Sequence, residues 1–430
     1  MFRLSDTWRG PRSRLERLST LFRRAAPAVS SGARSFQDID TLARRIHLPS
    51  LPVTDEEMAR AACHDRGQRL VRQGAWRALS EAIREADAAR QTTPGGEPEA
   101  LLMACGARSD VVAVAEDALR HGRDPDPEGL ARMTEEARAR PQDHAPALVV
   151  ALAHMDIAER WLRLMGRRAP HMAEARATYH LVLATELLLP FEAQAGTCPA
   201  LAAGFARQAA ITERPAARLS DRYEHLITLD PQPQAHMRAY GRALLDAPDG
   251  GSAALEVAAR RMALRTETEW GCAGYVWVYL DALALDPAPR DLIDAGFFIQ
   301  GMRDILDRRD EPHVVNQLAA FCAITLAPSR DIQLTPHAQA ASARIHGFLD
   351  HILRHHLSEL HPLIWAQALL TSGQIDQLPP RRALVAKGNQ VALRIIAARL
   401  ADDIVAAGAV AFSRTGLQRR PAFGDVPSIR

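Results

Sequence analysis

The stretch Gly250–Pro287, GGSAALEVAARRMALRTETEWGCAGYVWVYLDALALDP, decides the fold. Its two glycines make a turn, and Ser252 is placed to cap the helix that follows with its hydroxyl. Ala254, Leu255, Ala258, Met262 and Leu264 then fall mostly on one side of a helix, with Arg260, Arg261 and Arg265 off it. Thr266–Glu269 is a polar break. From Trp270 the pattern predicts a second helix that is apolar almost all round, with Asp281 its only charge. Such a helix is enclosed by neighbours. Trp270, Gly274 and Trp277 recur at helical spacing, as do Gly271, Tyr275 and Tyr279. Glycine inside a helix costs about 1 kcal/mol relative to alanine. Close approach of a neighbouring helix offsets that cost. Asp286-Pro287 stops the element, because proline cannot continue a helix.

The same grammar extends outward in both directions. Thr54-Asp55-Glu56-Glu57 is a capping box that opens a helix running to about Arg72. Gln73-Gly74 turns the chain into a return helix carrying Trp76, Leu79 and Ile83. Thr92–Pro98 is a loop, followed by short helices at 99–107 and 109–121 and a break at 123–128. Longer helices follow, one with Leu148, Leu152, Met155 and Trp161, the next with Tyr179, Leu183 and Leu187. Leu229-Asp230-Pro231 repeats the stop seen at Leu285-Asp286-Pro287. Further helices are expected to about Val410, the last breaking near Gly388. No alternation of apolar and polar residues persists between turn signals, so essentially no sheet is expected.

Composition narrows the function classes. A net charge of +2 gives no electrostatic case for nucleic acid. Nearly all the positive charge is arginine, with Lys387 the one lysine. Five scattered cysteines without a CxxC pair indicate free thiols in a reducing, cytoplasmic compartment. No apolar run reaches the roughly 18 residues that would span a bilayer. Residues 1–35 are arginine-rich and acid-poor, and are expected to be largely disordered. Within them, 11–24 can form a helix with Leu15, Leu18, Leu21 and Phe22 on one face. Such a helix could also dock, touch a membrane surface or belong to a targeting segment. The expected division is therefore 1–35, a helical-repeat domain at 36–330, a helical extension at 337–414 and a flexible tail at 415–430.

No G-x-S-x-G, P-loop, G-x-G-x-x-G or H-E-x-x-H motif is present. His351 and His355 share one helix face, but two ligands do not make a zinc site. The acids of Arg123–Glu128 lie among prolines at the wrong spacing for a calcium loop. No metal, cofactor or catalytic residue is assigned. Repeated helix–turn–helix units of about 35 to 45 residues fit an all-α solenoid.

Residues 231–279 add a resemblance. His236 and Arg238-Ala239 follow Asp230-Pro231, then come Leu244-Leu245, Gly250-Gly251-Ser252, Thr266, Gly271 and Tyr275. Leu152-Ala153-His154, Ala158 and Trp161 precede them. Over about 145–287 the chain resembles a bacterial tetratricopeptide-like domain family of unknown function, departing from it at Pro248-Asp249. The resemblance implies antiparallel helical hairpins and no chemistry. The expectation is a scaffold that binds a protein or peptide, with His236, Arg238, Trp270 and Tyr275 as binding residues. The alternative is an enzyme or small-ligand binder with a pocket near His236, Trp270 and Tyr275.

Overall fold

The structure, a computed structural model, describes residues 36–212, 215–328, 333–370 and 378–421, with Phe36 and Gln37 described by backbone alone. The segment 11–24 lies outside the described residues. In chain order the elements begin with α1 (Phe36–Ala43), β1 (Ile46–His47), α2 (Asp55–Arg72), α3 (Trp76–Ala88), α4 (Glu99–Arg120), α5 (Glu128–Arg138), α6 (His144–Met165), α7 (Pro170–Leu188) and α8 (Pro199–Ile211). They continue with α9 (Ala216–Leu229), α10 (Gln234–Asp246), α11 (Ser252–Arg265), α12 (Glu267–Trp270), α13 (Ala273–Leu285), α14 (Ala295–Arg308) and α15 (Pro312–Ala320). The rest are α16 (Pro336–Gly347), α17 (Leu349–His355), α18 (Pro362–Ala368), α19 (Arg381–Arg399), α20 (Ala401–Ala407), β2 (Ala409–Ser413) and β3 (Gly416–Arg420). The chain is mostly helical, consistent with an all-α class.

Contacts divide the chain into two compact units. One is Val53–Val314 with Leu334–Ala341; the other is made of the described residues within Met1–Pro52, Val315–Gln333 and Ser342–Arg430. This grouping is discontinuous in sequence.

In the larger unit, local signals account for many helix ends. Thr54 Oγ1 accepts from Glu57 N while the Glu57 carboxylate accepts from Thr54 N, completing the capping box of α2. α9 and α13 end at Leu229 and Leu285, one residue before each Asp-Pro. Helix α13 is buried on all faces from Ala273 to Leu280. Glycines set its spacing from its neighbours. A Cβ at Gly241 of α10 would stand 1.9 Å from Val278 O, and one at Gly274 would stand 2.6 Å from Met262 O of α11.

Three local expectations are corrected here. Ser252 is the first helical residue, not the cap; Gly251, at φ 103°, takes the cap position without a side-chain bond. Trp270 ends the one-turn helix α12 and does not begin α13, because Gly271 turns left-handed at φ 57°. There the Asp304 carboxylate accepts from Cys272 N at 2.6 Å. Residues 99–120 form the single helix α4, not two short ones. Gly106 does not interrupt it, and a Cβ there would stand 1.8 Å from His64 O of α2.

The smaller unit holds a three-stranded sheet in the order β1-β2-β3, contrary to the expectation of no sheet. Ile46 and His47 pair in parallel with Val410 and Ala411, and β2 and β3 form an antiparallel hairpin. Four successive residues of β2 are buried, so its sequence does not alternate. A short apolar run of that kind cannot be told from buried helix by periodicity. Residues 416–420, expected in a flexible tail, form β3. Asp403 accepts from Arg354 and from Arg419, each at 2.6 Å, tying α17 and the hairpin to α20. Helix α19 runs through Gly388 without the expected break; a Cβ there would stand 1.8 Å from Pro362 O, so α18 lies directly against it.

Candidate binding groove

The four residues expected to bind a partner are placed inside the larger unit, three of them hydrogen-bonded to other side chains or backbone there. His236 is buried, its Nε2 3.9 Å from Asp230 Oδ2. Arg238, on α10, donates to Asp281 Oδ1 of α13 at 2.7 Å. Trp270 donates from Nε1 to Pro231 O at 2.8 Å, with Arg309 stacked over its ring at 5.4 Å. Tyr275 and Tyr279 both donate to Glu256 Oε2 at 2.7 Å, and Tyr275 Oη also accepts from Asp294 N. Burial pushes both phenols well above the ordinary tyrosine range. A hollow of about 310 Å³ beside Ser220, Tyr240, Val257 and Arg261 involves none of the four.

A larger concavity lies elsewhere in the same unit, a groove of about 770 Å³. One wall is α4, with Asp110, Val111, Val114 and Ala115. The other is α7, with Arg176, Tyr179, His180 and Leu183. Helix α6 supplies His154, Ile157 and Trp161, and the 124–127 loop with α5 closes one side. Residues 176, 179, 180 and 183 are spaced three and four apart, which puts them on one face of α7. The adjoining face, with Ala173, Ala177, Ala184 and Leu188, is buried. Two large apolar side chains remain in solvent on the lining: Val114 is 54% exposed and Tyr179 57%. Trp161 is 2% exposed, and Arg176 lies over its ring at 5.9 Å.

The groove's distinctive polar feature is a pair of imidazoles. His154 of α6 and His180 of α7 meet Nδ1 to Nδ1 at 2.9 Å. Burial drives the His154 pKa down to about 3, with the neighbouring His180 and Arg138 charges adding to it. Burial and Arg176 take His180 down to about 4. Both rings are therefore neutral near pH 7, and a single proton sits between the two Nδ1 atoms. His154 Nε2 is buried without a partner. A stranded N–H is rarer than a stranded acceptor, so burial assigns the shared proton to His154 Nδ1. His180 then accepts at Nδ1 and carries its own hydrogen on Nε2. That nitrogen has no hydrogen-bond partner among the described residues and is not buried. The wall thus offers one oriented N–H donor.

Other clusters have structural explanations. Cys198 donates to Asp87 Oδ2 at 3.1 Å and lies 3.6 Å from His144 Nε2, an arrangement that superficially suits a nucleophile. Burial, reinforced by the Asp87 charge, pushes the thiol up to about 12, so it is not a thiolate at neutral pH. Asp87 Oδ1 instead accepts from Ala200 N at the start of α8. None of the five cysteines is joined in a disulfide. In the smaller unit the rings of His351 and His355 lie 4.8 Å apart between centroids, tilted by 45°. Among the described residues no group of three or more His, Cys, Asp or Glu is placed to hold a metal ion, and no helix is long and apolar enough to cross a membrane.

No local pattern announces this groove, because its residues come from four separate stretches of the chain. Asp124, Asp126 and Glu128, weighed as a calcium loop, belong to its lining. Compared with known proteins, the chain matches no family model, no curated protein and no solved structure.

Proposed function

We propose that this chain is a tetratricopeptide-like helical scaffold, without chemistry of its own, that binds a peptide segment of a partner protein in the groove between α4 and α7. The observation that carries this reading is the pair Val114 and Tyr179, large apolar groups left in solvent on the groove lining. Apolar area left in water in a concave site is recovered when a partner covers it. The antiparallel course of α6 and α7 and the resemblance of residues 145–287 support the hairpin-repeat part of the reading.

Panning a random peptide display library against the full chain, with counter-selection against Tyr179→Asp and Val114→Asp, tests it. Enriched peptides should bind the parent and lose binding to both variants. Peptides that bind parent and variants alike would remove the groove from consideration.

A further inference from the structure

We propose that the segment bound in this groove is basic and amphipathic, presenting lysine or arginine beside aliphatic residues and one backbone or amide carbonyl to His180 Nε2. This rests on the scaffold reading.

Charge is the first argument. Among the carboxylates of the lining, Asp110 is bound by Arg72, Asp124 by Arg176 and Glu128 by Arg132. Asp126 and Glu135 have no cation beside them among the described residues; Asp126 Oδ1 accepts only from Glu128 N. Arg138 is the one guanidinium of the lining without an ion pair among those residues, and the two imidazoles are neutral. The lining therefore carries five carboxylates against two guanidiniums, with two of the carboxylates uncompensated. A cationic segment supplies what Asp126 and Glu135 lack, whereas an anionic one would have Arg138 alone.

Shape and hydrogen bonding agree with a peptide. The lining face of α7 from Arg176 through Tyr179 to Leu183 extends over about 10 Å at about 1.5 Å per residue. A segment of about eight residues in a helix covers that length. The oriented N–H of His180 is satisfied by a carbonyl, which every peptide carries. His154 is 2% exposed and holds that donor in place from behind.

The test uses the full chain and two fluorescein-labelled probes, a lysine–leucine amphipathic helix and its glutamate–leucine counterpart, read by anisotropy. The lysine probe should bind, and should weaken as salt rises from ~0.05 to ~0.5 M. The double variant Asp126→Asn/Glu135→Gln should bind it roughly five- to tenfold more weakly, from two partly exposed charge pairs. Tyr179→Asp should abolish binding, with circular dichroism confirming that each variant is folded. If both probes bind the parent equally, or the double variant binds like the parent, the basic partner is overturned. The groove itself then stands only if Tyr179→Asp still abolishes binding. If neither probe binds, or Tyr179→Asp changes nothing, the scaffold reading falls and this inference with it.

Discussion

Arg108 Nε lies 2.6 Å from Asp156 Oδ2, and Arg207 of α8 closes on the other oxygen of the same carboxylate at 2.6 Å. One side chain of α6 thereby joins α4 and α8. Removing the carboxylate strands the buried Arg108 guanidinium, whereas Arg207 keeps Glu159 at 3.0 Å. Asp156→Ala should therefore cost about 3 kcal/mol or more, measured by urea unfolding. Burial disfavours the ionised form of Asp156, but Arg108 and Arg207 outweigh it and hold its pKa below the usual carboxylate range. A lowered folded pKa means that the contribution is complete above the unfolded value of about 3.9 and is lost as pH falls through the folded one. Asp156→Asn should consequently flatten the stability curve on the acid side of about pH 4. An unaltered acid limb would show that the clamp contributes little.

The imidazole pair acts in a different pH window. Both histidines have folded pKa values, about 3 and about 4, below the ordinary value of 6.5. Between those limits the unfolded chain binds protons that the folded chain does not. Stability should be complete above about pH 6.5 and should decline as pH falls toward 4. His144 and His346, whose pKa values are also lowered by burial, add to the same slope. Replacing the pair by His154→Phe/His180→Phe should make the slope shallower without abolishing it. Denaturation midpoints at intervals from pH 7 to 4.5 decide this, and an unchanged slope would mean the pair titrates normally.

Gly241 and Gly274 test the closeness of helices around α13. At Gly241 even one methyl would collide with Val278 O, a backbone atom that cannot rotate away. Gly241→Ala should cost about 1 to 3 kcal/mol, and Gly274→Leu at least as much. Trp277→Ala should leave a cavity and cost about 3 to 5 kcal/mol. Wild-type unfolding midpoints in these variants would mean that α13 is not enclosed as described.

In the smaller unit, Gly388→Val should push α18 off α19 at a cost of about 1 to 3 kcal/mol, because the new Cβ would meet Pro362 O. Hydrogen exchange should report faster exchange at 362–368 in this variant. Protection equal to the parent's would place the contact elsewhere.

Much of this protein is legible one helix at a time. The capping box at Thr54, the stops at Asp230-Pro231 and Asp286-Pro287, and the apolar run that makes α13 a buried helix all rest on contacts within a few residues. Such contacts leave their imprint directly in residue order. Tertiary packing decided the rest. His154 and His180 stand 26 positions apart, and nothing local in either helix marks them as partners. Ile46 finds Val410 from far away along the chain, and β2, buried on both faces, carries no strand alternation to announce the pairing. Gly388 shows the same limit from the opposite side, since a residue that weakens an isolated helix is tolerated where another backbone fills the space beside it. Periodicity along the chain determined which faces of the helices are apolar. Which of those faces meet, and which are left open as a groove, was decided by the packing of segments distant in sequence.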